Sequence, residues 1–334
     1  MNQIASDKMR WTSFLCSIFI AVLHLSASFT SHNLEFIAYY QQLAVPAMSF
    51  FFFSSAYFHF RNYDVSTYWK SLKKRVPSLL VPYVLWNLIE FVICGLRGYI
   101  NVSFTQLLKG MVFVYIPFIE LTHEPLIGAL WFVVRLLTFE ITAPIIFYAI
   151  KNKKVFMLLI CTLFASIFLL EINYYSYLYW LPVYMIGAFL GYHYKNQFEK
   201  FISKSEKENS LVLKYIMTIS ACCIYGVFVM VCWKTTISYT LERWLAIPMI
   251  LVCIYLVEWY PKPKWAVIHG SFFLYCAHIP ARFLIAGGLS GFERILGKYY
   301  PNFYFIVMIG GILFAEWILY KTAPKLLAIL IGSR

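Results

Sequence analysis

Charge is what this 334-residue chain has least of: 13% of its residues are Asp, Glu, Lys or Arg, about half the ~25% usual in soluble domains. Such a chain has too little polar surface to cover itself in water, which argues against a soluble globular class. Paired cysteine motifs are missing as well. All eight cysteines (Cys16, Cys94, Cys161, Cys222, Cys223, Cys232, Cys253, Cys276) lie within or beside apolar runs and none forms a CxxC pair. Neither a disulfide framework nor a metal site is indicated, and the thiols read as small apolar packing residues. No internal repeat is evident, loops are short, and no soluble domain is expected at either end.

What the chain has is apolar length. It is 61% hydrophobic and 20% aromatic, with a mean hydropathy of +0.70. Apolar runs of about 17 to 25 residues recur along it, the length that crosses a bilayer as a helix. The expected fold is an all-α polytopic membrane protein forming one integral membrane domain over residues 1–334. About ten transmembrane helices are expected, near 11–29, 42–60, 76–96, 128–150, 155–171, 178–194, 211–233, 241–259, 266–286 and 302–322. The first could be taken for a signal peptide, with Lys8 and Arg10 ahead of it. Its apolar run is longer than a signal core and another span soon follows, so an uncleaved helix is the better reading.

The formal charge of +13 would suggest nucleic acid in a soluble protein. Here the positions of the cations report topology instead, and no nucleic-acid partner is expected. With the N-terminus inside, 20 of the 28 Lys and Arg fall on one side, in clusters such as Lys70, Lys73, Lys74, Arg75 and Lys151, Lys153, Lys154. That bias places both termini in the cytoplasm. The apolar stretch "LLKGMVFVYIPFIELT" near 107–122 tempts an eleventh span, but crossing there would turn every later cationic cluster outward. It is short, broken by Pro117 and flanked by Glu120 and Glu124, so a re-entrant or interfacial segment is expected.

Ionisable side chains inside spans cost free energy and are functional candidates for that reason. They are His24, Glu90, Arg135, Glu140, Glu258, His278, Arg282 and Glu316. Glu258 lies near a boundary and reads as interfacial. Arg135 and Glu140 are five apart, a poor helical pair, so each should find a partner elsewhere. His24 follows Arg10 by 14 residues, on the order of 20 Å along a helix. A neutral imidazole at that depth can accept a proton from a hydroxyl; a hydrogen-bonded packing histidine is the other reading, and the residue alone leaves both open.

Five stretches in order carry a resemblance. They are "CSIFIAVLHLS" closing on His24, "FFFFSSAYF", "KSLKKRVPSLLVPYVLW", "GALWFVVRLLTFEITAPII" and "GSFFLYCAHIPARF" with its Ser-Phe-x-x-Tyr-x-x-His-x-Pro spacing. Together they resemble the acyltransferase-3 family of integral membrane acyltransferases, many of which O-acetylate bacterial surface glycans. Three departures stand out. Ser13 occupies the place of an arginine common in the family, with Arg10 one turn away. The family's Ser-Gly step is Ser55-Ala56. Of the paired arginines leading into the third span only Arg75 is present, with Ser78 at the second position.

The resemblance implies an acyl-CoA donor, most simply acetyl-CoA, used as a substrate with no bound cofactor. It implies a saccharide or lipid-linked glycan acceptor, surrounding membrane lipids, and a bacterial cytoplasmic membrane. His24 would be the general base or a transient acyl carrier. Arg75, with Arg10, would contact donor phosphate, since guanidinium pairs bidentately with it; enforcing topology and meeting anionic lipid is the plainer role of that loop. Trp131, Arg135, His278 and Ser55 would line the substrate cavity. Trp131 and Arg135 are four apart and share a helix face, although an interfacial tryptophan is as natural a reading. The alternative function is a transporter or flippase for a glycolipid or small solute, which commonly shows paired halves and helices broken at matching positions. No such symmetry is visible here.

Overall fold

The computed structural model describes residues 3–26, 34–100, 103–111, 126–203, 210–235, 239–258 and 260–332. Among them every regular element is a helix and no strand occurs. The chain runs α1 (Gln3–Ser26), α2 (Leu34–Phe60), α3 (Tyr68–Leu96), α4 (Phe104–Met111), α5 (Trp131–Ile141), α6 (Ala143–Lys151), α7 (Lys153–Leu169) and α8 (Tyr177–His193). It continues through α9 (Lys195–Ser203), α10 (Leu211–Lys234), α11 (Tyr239–Leu256), α12 (Trp265–Leu289), α13 (Glu293–Leu296), α14 (Tyr300–Thr322) and α15 (Pro324–Leu330). Among the described residues, five helices are long and apolar enough to cross a membrane: α1, α2, α3 with the 3₁₀ turn before it, α10 and α14. The α5–α6 pair makes a sixth if it counts as one bent span.

Local chemistry sets several boundaries. Asn152 Oδ1 accepts from the amides of Lys154 and Val155 at the start of α7, and Ser176 Oγ from that of Leu178 at the start of α8. These side chains satisfy amides that a helix N-terminus leaves unpaired. The break between α5 and α6 falls at Thr142, just ahead of Pro144, and turns the axis by 64°. Proline lacks the amide that would continue the ladder to residue 140. Further along, α12 runs through Pro280 without a break.

The centre of the bundle is the packing of α2 on α8 and of α1 on α2 and α12. Gly187 and Gly191 lie one turn apart on α8 and press against α2; a Cβ at Gly191 would stand 2.6 Å from the Tyr57 carbonyl oxygen, and one at Gly187 would meet that of Phe53. This small-residue spacing lets helix backbones approach where lipid offers no hydrophobic drive between them. Around the contact, Phe52 stacks on Trp180 and meets Phe139 edge-on, and Phe139 lies nearly parallel to Tyr184 at 4.1 Å.

Several cations of the loops expected in the cytoplasm are held by neighbouring segments. Lys195 donates to Asn62, Lys153 donates to the Tyr194 hydroxyl, and Arg61 pairs with Glu199 at 2.9 Å. Helix α1 begins eight residues before the expected span, so Lys8 is inside the protein, donating to the carbonyls of Ile202 and Tyr255. All eight cysteines are free; Cys161, Cys222 and Cys223 lie on the outer surface. Of the segment near 107–122, only 107–111 falls within the described residues, at the end of α4; there the Met111 carbonyl accepts from Tyr83.

The buried ionisable groups divide by partner. Arg135 donates to the Tyr175 carbonyl in the loop before α8, and Glu140 pairs with α2 and α3. Glu258 is buried in the protein, 4% exposed, and its amide is held by the Thr218 hydroxyl.

Candidate active site

Two neighbouring spaces with shared lining residues lie among α1, α2, α3, α5 and α12. The outer one, about 830 Å³, is bounded by Ser71, Lys74, Arg75 and Ser78 of α3, Ser55 and Phe58 of α2, Leu136 and Glu140 of α5, and the C-terminal Ile329 and Gly332. Gly332 has φ of +75° and sits against the Ser78 carbonyl, a position closed to any side chain. The inner space, about 190 Å³, shares Ser55, Phe58 and Leu136 with the outer and continues to Ser13, Ser17, Ser54, Ser271 and an aromatic end. That end is Phe51, Phe132, Phe272 and Tyr275.

The lining follows from helix geometry. Phe51, Ser54, Ser55 and Phe58 fall at i, i+3, i+4 and i+7 on α2, and Ser13 and Ser17 one turn apart on α1. On α12, Ser271, Tyr275 and His278 occupy one face in the same way. Phe132, Leu136 and Glu140 form such a row on α5.

At the inner end the Tyr275 hydroxyl donates to the Ala129 carbonyl, and its ring lies 6.2 Å from that of His278. His278 is fully buried. Its Nδ1 lies 3.2 Å from the Leu274 carbonyl, so Nδ1 carries the proton if that contact is a hydrogen bond, and its Nε2 meets no protein partner. Its ring stacks on His24 at 5.1 Å. Beyond the pair, Arg282 donates to the main-chain carbonyl of His24 at 3.4 Å, and the buried Glu90 lies within electrostatic reach of that guanidinium.

At the outer end Arg75 forms an ion pair with Glu140, whose second oxygen is 2.8 Å from His59 Nδ1. The α5–α6 bend sits two residues beyond Glu140 and holds this carboxylate at the cavity wall.

The expected site residues therefore separate. His24 and His278 come together, and Ser55 and Arg75 line the linked spaces. Trp131 and Arg135 share a face, but the neighbouring row of α5 lines the cavity. Trp131 is buried against Phe52, Tyr174, Tyr175 and Trp180. Arg10 pairs with Asp7 at 3.8 Å and is off the described lining, whereas the departures Ser13 and Ser78 are both on it. Sequence reasoning passed over Glu140 and His59 as a pair for Arg75, and Tyr275 and Ser271 as wall residues. The signal for the last two was their spacing to His278. The rest of the segment near 107–122 after Met111, with the flanking Glu124, lies outside the described residues. Among the described residues, no group of three or more His, Cys, Asp or Glu converges as metal ligands.

Comparison with curated proteins and with solved structures produced no match. The family model described as an acyltransferase domain, that of acyltransferase-3, matches residues 4–321. Nearly the whole apolar bundle falls inside that match, including every lining residue of the inner space and all of the outer one but Ile329 and Gly332, and the chain belongs to the acyltransferase-3 family of membrane acyltransferases.

Proposed function

We propose that the protein is a membrane O-acyltransferase that moves an acetyl group from acetyl-CoA to a hydroxyl of a cell-surface or lipid-linked saccharide. One observation carries this reading: a passage with Lys74 and Arg75 at its mouth leads inward to Tyr275, next to the stacked imidazoles of His278 and His24. A cationic mouth suits a polyphosphorylated donor, and a buried imidazole suits a proton acceptor. Arg75, rather than Arg10, is the arginine we assign to donor phosphate.

In this reading the thioester reaches the inner end and the acceptor hydroxyl approaches His24 from the opposite end of the bundle. His24 takes the hydroxyl proton, the oxygen attacks the thioester carbonyl, and the carbon–sulfur bond breaks. The departing thiolate then recovers the proton from the imidazolium. If His24 is instead acylated first, the same bond breaks and the acyl group passes from imidazole to hydroxyl in a second step. In this reading the chain crosses a bacterial cytoplasmic membrane about ten times with both termini in the cytoplasm, and the donor arrives from that side.

The test is chemical. Purified protein in lipid is incubated with labelled acetyl-CoA and membrane glycans, and thioester loss and glycan label are followed together. Matched loss and labelling support acyl transfer; an intact thioester with movement of glycolipid or solute across the bilayer would establish the transporter reading.

A further inference from the structure

We infer that Arg282 and Glu90 are positioning residues for the imidazole pair: the guanidinium, steadied by the buried carboxylate, fixes the last turn of α1 and with it the place of His24 against His278. This inference rests on the acyl-transfer reading of His24 above, and it adds two side chains that line neither of the two spaces.

Glu90 is a buried ionisable group that the reaction leaves unused. It sits within α3, 1% exposed. Its Oε1 is 3.5 Å from the Cys94 thiol one turn along, and its Oε2 meets no hydrogen-bond partner among the described residues. A carboxylate so placed in a membrane bundle costs free energy unless a cation offsets it. The cation within its electrostatic reach is Arg282 of α12. Arg97, at the end of α3, donates instead to the Leu284 carbonyl of α12.

Arg282 touches both helices that carry the imidazoles. It follows His278 by four residues on α12, one turn on along the same face. Its Nη1 donates to the main-chain carbonyl of His24 at 3.4 Å. His24 belongs to the last turn of α1, where no amide of a further turn donates to the carbonyls. A cation at that end also complements the helix dipole. One side chain therefore ties α1 to α12, and a carboxylate from α3 stands beside it. Helix α12 packs on both of the others, so the three groups meet where the three helices do.

The tie bears on the chemistry through distance. An imidazole takes a proton only within hydrogen-bond reach of it, and a misplacement of about 1 Å costs up to about 10²-fold in rate. The role requires no contact with the reacting atoms. Both residues act through the main chain of α1, by holding the turn that sets the 5.1 Å stacking of the rings.

The test uses purified full-length protein in lipid with labelled acetyl-CoA and membrane glycans. Turnover per folded molecule, the KM for acetyl-CoA and the melting temperature are read together. Arg282→Met, of similar length but without donors, should lower turnover about ten- to a hundredfold, with KM unchanged within about twofold. It also leaves Glu90 without its cation, so the melting temperature should fall. Adding Glu90→Gln should restore the melting temperature but not the turnover. Arg282→Lys keeps the charge and a donor, and should recover most of the turnover. Turnover that returns with the melting temperature in the double variant would mark a role in stability alone and overturn the inference. A raised KM at unchanged kcat would overturn it as well, since that marks a substrate contact, and so would wild-type turnover in Arg282→Met. Wild-type protein that transfers no label would overturn the acyl-transfer reading itself, and this inference with it.

Discussion

The imidazoles of His24 and His278 lie stacked, their centres 5.1 Å apart and their planes 30° from parallel. They come from opposite ends of the chain, on α1 and α12, and meet because these two helices pack directly against each other. The protein meets His278 at Nδ1 with backbone of its own helix, at Leu274 and Tyr275, and leaves its second nitrogen open. Such an orphaned polar atom in a membrane interior marks a working site more readily than a packing one.

His24→Gln keeps a hydrogen-bonding side chain of similar reach and removes the proton acceptor. Turnover per folded molecule should fall about 10²- to 10⁴-fold, the usual worth of a general base, with normal abundance and insertion. Activity within a few-fold of wild type would end the catalytic assignment of His24 and move attention to His278.

Arg75 pairs with Glu140, and the donor contact we propose for it is separable from that pairing. Arg75→Ala should weaken donor binding, and it also strips a partner from Glu140, whose side chain is 6% exposed. Losing one member of a buried pair leaves an uncompensated charge and lowers stability. The double variant Arg75→Ala, Glu140→Gln should recover the melting temperature but not the donor affinity. Arg75→Lys should recover binding only partly, because a bidentate fork becomes a point charge. Full recovery of donor affinity in the double variant would leave Arg75 as a structural and topological charge.

Gly187→Leu places a side chain where α8 meets the Phe53 carbonyl of α2. Overpacking of this sort costs about 1–3 kcal/mol or more, so thermal unfolding in detergent should shift clearly downward. A melting temperature equal to wild type would mean that α2 and α8 are not as closely packed as described.

Topology has its own test. A reporter fused after Arg334 should read cytoplasmic, and a cysteine introduced at Asn33 should react with an impermeant reagent from outside. Labelling of Asn33 only after the membrane is opened would invert the charge-based assignment of sides.

The apolar runs, the gathering of cations toward one side and the five ordered motifs were enough to read a helical membrane acyltransferase and to single out His24. Those properties depend on composition and on neighbours in the chain, which sequence displays directly. Even part of the cavity wall was legible in principle, since Ser271, Tyr275 and His278 already share a helical face by their spacing.

Which row of a helix faces inward was decided by packing alone. Trp131 and Arg135 share a face as their spacing requires, yet rotation of α5 turns Phe132, Leu136 and Glu140 to the cavity. The same holds for partners far apart in the chain: Arg75 with Glu140 and His59, Arg135 with the Tyr175 carbonyl, and His24 with His278. Periodicity identifies the residues of one face but carries no origin for the rotation of the helix. That origin is set when glycines such as Gly187 and Gly191 admit a neighbouring backbone and the bend before Pro144 fixes the direction of the next segment.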